Sequence, residues 1–392
     1  MRRHWMWRLM VVALVAIAST PAQGRSGQGA SGGEAEVAAA IAKLGAFDFG
    51  ERSAASRTLR RASASVAVPA LTRAVKSSED SYVQFRALVL LSSADEVAAA
   101  DVMRAAMTSK NDRLRAVSYA WYEHHPSPTI VPLLIDALAR ETSEFVRPSL
   151  TRALAAQGER RASDALLPLV TTGENFFRAE VIQALGDYHV TSARDAVRHV
   201  ASQEGPLQQD AIIALGKIGD ASMLPFLAEL QRTVSRERQP AIAAAICLLG
   251  VNCDVHRKYL SDTLAFAAGT AGFQPLLRSV TRALSALAGQ GDQGALAALL
   301  REGTTTVEAS RAPIALATGT AVVRRPTALL EMLRSTSTSE AALAVVRDAF
   351  DMLEEDFEEE RFFAEVRRVF WASPEGSAER RIAQAVLQTL EF

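Results

Sequence analysis

The sequence predicts an all-α protein, a solenoid of about ten stacked helix pairs, and three observations carry that reading. Equivalent positions recur at Arg86, Arg115, Arg147, Arg178 and Gln208, spaced 29, 32, 31 and 30 residues apart, and a period of roughly 20 to 50 residues marks a repeat array. Apolar residues make up 49% of the chain but aromatics only 6%, so the core is built of Ala, Leu and Val, suited to short, closely packed helices. The stretch Leu207 to Leu230 shows the unit. Ala211, Ile212 and Leu215 form one apolar stripe, Gly216 is expected to stop that helix, and Asp220 and Pro225 open a second whose stripe is Leu224, Leu227, Ala228 and Leu230.

Taken in order, residues 1–24 read as a signal peptide: a basic head of Arg2, Arg3 and Arg8, an apolar run from Leu9 to Ala18, then small residues before plausible cleavage points at Ala22 and Gly24. An uncleaved anchor is the alternative, but so short a run does not span a hydrocarbon core of about 30 Å. Export to the periplasm or beyond is expected, with membrane contact only through this transient signal. Loss of the three arginines leaves 40 basic residues against 44 acidic, a balance that argues against a nucleic-acid partner. The Gly/Ser-rich residues 25–33 are expected to form a flexible leader.

Residues 34–338 are assigned to the repeats. Ser53 to Arg61 is a weak first helix; Gly186, Gly216, Gly250, Gly289 and Gly319 are expected to close later ones, and second helices open near Pro69, Pro132, Pro168 and Pro225. Asp112, Glu144, Glu174 and Glu204 precede the reference positions, where they favour a helix amino terminus or pair with its arginine. Ala267 to Pro275 breaks the pattern, leaving Phe273 either a contact residue on a projecting loop or part of a packed elbow with Phe266. Residues 339–392 are expected to form capping helices with an acidic outer face around Phe350, Phe357, Phe362, Phe363, Val366 and Phe370. The acidic run lacks the glycine-containing loop that wraps calcium.

The strings ALGKIGD and LPFLAEL resemble HEAT-like repeats of the type found in phycobiliprotein lyases and bacterial scaffold proteins. The resemblance covers about Arg52 to Gly319 and implies a right-handed α-α superhelix used for protein contacts, with second helices on the concave surface and no catalytic residues to transfer. Under that implication the polar positions of the second helices include six cations against two anions, and Arg73, Arg104, Arg140, Arg198 and Arg232 become candidate contacts for a protein or peptide bearing carboxylates.

Little chemistry is visible beyond this. Cys247 and Cys253 straddle a turn and are either bridged or two buried thiols; bridging demands a close Cα approach. His124 and His125 adjoin Glu123 and Pro126 in a polar turn without a metal-ligand pattern. No phosphate-binding loop, nucleophile elbow, zinc helix or dinucleotide glycine motif occurs, and no cofactor is expected. Two functions remain: an exported scaffold or adaptor binding a protein on its concave face, or an enzyme or enzyme accessory of the lyase-like kind handling a small molecule. A shallow groove would favour the first and a deep pocket of converging polar groups the second.

Overall fold

The computed structural model describes residues 26–305, 308–335, 339–352 and 357–390, which contain helices and turns and no strand. The signal segment 1–24 lies outside them. After α1 (Ser26–Lys43), helices follow in pairs: α2 (Phe49–Arg61) and α3 (Ala64–Ser77), α4 (Ser81–Ala94) and α5 (Glu96–Ala106), α6 (Asp112–His124) and α7 (Val131–Arg140). Next come α8 (Arg147–Ala156) and α9 (Arg160–Leu166), α10 (Asn175–Asp187) and α11 (Arg194–Ala201), α12 (Gln208–Ile218) and α13 (Leu224–Thr233). The series continues with α14 (Gln239–Leu248) and α15 (Cys253–Gly269), α16 (Gln274–Gly289) and α17 (Gln293–Thr305), α18 (Glu308–Val323) and α19 (Pro326–Ser335). It ends with α20 (Ser339–Phe350), α21 (Phe357–Ala372) and α22 (Ala378–Leu390). The pairs from α2/α3 to α20/α21 number ten. None of the described helices is long and apolar enough to cross a membrane.

Local chemistry explains where these helices begin. Asp48, Asp80, Asp95 and Asn111 each accept a hydrogen bond from a first-turn amide, satisfying donors that have no partner inside the helix. Pro132, Pro225 and Pro240 sit in first turns, where the missing N–H costs nothing. Pro69 instead lies inside α3, so it does not mark that helix's opening. The expected flexible leader is helical from Ser26 onward. Buried Val37, Ala40 and Leu44 anchor α1, and each residue added to an anchored helix gains a hydrogen bond that offsets the poor propensity of its glycines.

First helices pack on successive first helices, from α4 through α6, α8, α10, α12, α14, α16, α18 and α20. Among the most enclosed of them is α14, where every residue from Pro240 to Cys247 is buried. Second helices bury one stripe only, as in α13, where Leu227 and Leu230 alone are buried. The reference arginines tie helices together within and between repeats. Arg115 holds Glu141 through two hydrogen bonds of 2.7 and 3.0 Å, Arg178 donates to the Val170 carbonyl at 3.0 Å, and Arg147 lies over the Phe177 ring at 3.5 Å.

One glycine has a different role from the one its position suggests. Gly216 lies within α12, and a Cβ there would meet Ala245 Cα at 2.5 Å, so it allows α12 and α14 to approach closely; the helix ends at Gly219, whose φ of 82° is the left-handed conformation that stops a helix. Gly186 and Gly319 are likewise inside α10 and α18. Phe273 packs against Phe266 with ring centroids 4.8 Å apart, which makes the interruption an elbow.

The carboxyl-terminal segment departs most from expectation. While α20 stacks on α18 and α22 packs on α20, α21 returns to the start of the array and packs on α4 and α6 as well as α18 and α19. Its acids do not form an outer face: Glu358 and Glu360 are 8% and 3% exposed. Phe357 joins the core of the amino-terminal repeats, while Phe362 and Phe363 join that of the carboxyl-terminal ones beside Phe350. The array therefore bends back on itself, with α21 joining its two ends.

A charge-lined cavity

A half-open cavity of about 1100 Å³ lies among α10, α12, α16 and α18. Each contributes a stripe at helical spacing: Glu180, Gln183 and Asp187 from α10; Asp210, Ile213, Ala214 and Lys217 from α12; Arg278, Arg282 and Ser285 from α16; Pro313, Leu316 and Thr320 from α18, with Arg324 just past its end. Such positions three, four and seven residues apart share one face, while the flanks of the same helices pack on their neighbours.

At the carboxyl ends of these helices the charges form a continuous chain. Lys217 pairs with Asp187 at 2.5 Å, Asp187 with Arg152 at 2.8 Å, Arg152 with Glu123 at 3.0 Å, and Glu123 with Arg324 at 2.5 Å. Arg324 then reaches Glu358 of α21 at 3.4 Å, which Arg361 and His124 also contact at 3.1 and 2.8 Å. Tyr188 donates its hydroxyl proton to Glu123 at 2.5 Å. The chain thus runs from α12 through α10, α8 and α6 to α18 and α21, joining residues 201 positions apart at the Glu123–Arg324 link. Burial alone would raise the Asp187 carboxyl, but Lys217 and Arg152 outweigh it and hold it at about 2; Arg324 and Arg152 likewise bring Glu123 below the usual range against its burial. Buried ion pairs roughly break even against apolar packing, whereas removing one partner strands the other. Removing one member of the network is therefore expected to cost more than the intact network contributes.

Glu180 and Asp210 behave differently. Burial pushes both carboxyls up; Asp210 has a single ion-pair partner, Arg282 at 2.8 Å, and Glu180 has none among the described residues. Arg278 and Arg325 also line the cavity and are exposed.

The arginines singled out by sequence lie elsewhere. Arg73, Arg104, Arg140, Arg198 and Arg232 are exposed on second helices, which form the outer layer, and none lines the cavity. Arg140 pairs with Asp136 at 2.7 Å, Arg232 with Glu229 at 2.8 Å, and Arg198 covers the Phe226 ring. The expectation that second helices line the concave side is corrected by the close approach of the first helices, which curves the array toward them. Cys247 and Cys253 form a disulfide, their Cα atoms 4.3 Å apart. Among the described residues, two groups bring three potential metal ligands together: Glu123, His124 and Glu358, and the two cysteines with Asp292. The first is occupied by Arg152, Arg324, Arg361 and Tyr188, and in the second the thiols are bonded and Arg257 holds Asp292 at 2.9 Å, so neither set has the donors free to take an ion.

No protein-family model matches the chain, and no curated protein does. Among solved structures it is similar to the complex of CpcE and CpcF of phycocyanin lyase from Nostoc sp. PCC7120, at 20% identity over 64% of this chain and 94% of that one, with a TM-score of 0.40. An engineered protein is similar at 20% identity over 91% and 99% of the two chains, TM-score 0.35. The Kap95:Nup1 complex is similar at 13% identity over 90% of this chain and 56% of that one, TM-score 0.38. These likenesses are of helical architecture only. The HEAT-like character of the array stands on its own stacked helix pairs.

Proposed function

We propose that the protein is an exported binding protein that holds a small ligand inside the ring of first helices. The observation that carries this reading is the cavity itself: about 1100 Å³, lined by polar groups converging from four first helices and closed on one side by α21. Small-molecule sites are typically about 300 to 1000 Å³ with a few placed polar groups, so the space suits one ligand and is too small for a folded domain. The open concave groove that a protein scaffold would present is crossed by α21, and the outer arginines are largely paired with neighbours, which weighs against an acidic protein partner there. Export is supported by the basic and apolar pattern of residues 1–24 and by a disulfide, which persists in oxidising compartments.

Native mass spectrometry of protein taken from its own cell envelope tests both parts. A mature start between Gln23 and Arg25 and a bound small mass are expected, and the bound mass should be reduced in Leu316→Trp, which narrows the apolar side of the cavity at a half-exposed position. An intact Met1 terminus would refute export. Absence of any small mass, together with stoichiometric capture of a protein, would refute the ligand reading.

A further inference from the structure

The unpartnered carboxyl of Glu180 says what kind of ligand the cavity takes. Glu180 stands at mid-height on α10, seven residues before Asp187 on the same stripe. The charges acting on it are Arg152 from α8, Asp187 from its own helix, Asp210 from α12 and Arg324 from α18. Both arginines are already committed, Arg152 to Glu123 and Asp187, Arg324 to Glu123 and Glu358. Nearby Asp210 is 6% exposed and shares only Arg282. Of the carboxyls that line the cavity from α10 and α12, Glu180 alone has no ion-pair partner among the described residues; it is half-buried with its oxygens open to the cavity, where water or a ligand supplies the donor. Arg278 and Arg325 also line the cavity but make no ion pair with Glu180 among the described residues. Arg278 lies near the amino end of α16 and Arg325 beside Gly291, past its carboxyl end; thirteen residues of helical rise separate these points by about 20 Å, so they mark the rims. Pro313, Leu316 and Ala317 of α18 and Ile213 of α12 supply an apolar lining between them.

Building on the cavity reading, we infer that the ligand is an amine or guanidinium with an apolar body: its cation pairs with Glu180, with Asp210 as the second carboxyl within reach of the field, and its body covers Leu316, Pro313 and Ile213. The charge-assisted hydrogen bond to Glu180 supplies the orientation and the apolar lining supplies the contact area.

Calorimetry on the full mature chain at neutral pH tests this with three probes of one shape: benzylamine, benzyl alcohol and benzoate. Benzylamine should bind at least about tenfold tighter than benzyl alcohol, and Leu316→Trp, which alters the apolar lining, should weaken its binding. Glu180→Gln should remove the preference without lowering the Tm, since it deletes an uncompensated charge, while Glu180→Asp, which keeps the charge, should retain a preference. Tightest binding of benzoate would mean that the arginines decide the ligand; the amine assignment would fall and the cavity reading would stand. Persistence of the amine preference in Glu180→Gln, or amine binding unchanged in Leu316→Trp, would overturn the assignment of this site. Failure of all three probes to bind would overturn both.

Discussion

Glu360 offers the sharpest perturbation of the closure. Its carboxylate accepts from Arg60 through Nη2 and, at 3.2 Å, through Nε, from Ser93 Oγ at 2.9 Å, and from Arg367 at 2.8 Å. Burial alone would raise its proton affinity, but Arg60 and Arg367 outweigh that and hold it at about 2. Against an unfolded value of about 4.3, the difference corresponds to about 3 kcal/mol, close to the 3 to 5 kcal/mol typical of stranding one partner of a buried pair. Glu360→Gln keeps the shape and removes the charge, so at pH 7 it should cost about 3 kcal/mol by urea unfolding. The folded value lies below the unfolded one, so the stabilisation is complete above the unfolded value and is lost as pH falls through about 2. The gap between wild type and mutant should therefore narrow to about 1.5 kcal/mol by pH 3. Hydrogen exchange should locate the loss in α21 and the faces of α4 and α6 that it covers, since nearest-neighbour interfaces hold such arrays together. A cost below about 1 kcal/mol, or a gap that does not change between pH 7 and pH 3, would refute the idea that this carboxylate fastens α21.

Two further outcomes separate local roles. Gly216→Ala should destabilise by about 1 to 2 kcal/mol, because overpacking against the Ala245 backbone exceeds the gain in helix propensity, whereas Gly289→Ala, with no atom within 4 Å of the new Cβ, should be neutral or stabilising by up to about 1 kcal/mol; urea unfolding showing the reverse order would contradict the close-approach role. Thiol labelling without reductant should find Cys247 and Cys253 unreactive before and after unfolding, and two thiols appearing on denaturation would refute the bridge.

Much of the architecture was legible because it is local. The thirty-residue beat, the capping aspartates and the prolines of the first turns are all set by neighbours in sequence, and so is a disulfide across six residues. Which layer faces inward was not. Both helices of a pair carry apolar residues, and the curvature depends on how closely successive first helices approach, as at Gly186 against Ala214 and Gly216 against Ala245. A signal was nevertheless present. Glu180, Gln183 and Asp187, with Asp210 and Lys217 at matching positions one repeat later, interrupt otherwise buried helices at helical spacing, a pattern that a fully enclosed helix has no reason to carry. The position of α21 left no local trace: its acids look like a solvated run, and the partners that make them structural, Arg60 and His124, lie 300 and 234 residues away.

Small-angle X-ray scattering of the mature protein tests the closure of the ring most directly. A chain of this size folded back on itself should approach the radius of gyration of a compact protein, about 21 Å, with a modest increase for the hollow centre. Ten pairs stacked at about 9 to 10 Å without return would form a body about 90 to 100 Å long, whose radius of gyration is roughly 30 Å. The closed array predicts a value below about 25 Å; a value near 30 Å in dilute, monodisperse solution would show an open superhelix, and neither the cavity nor its ligand would survive that result.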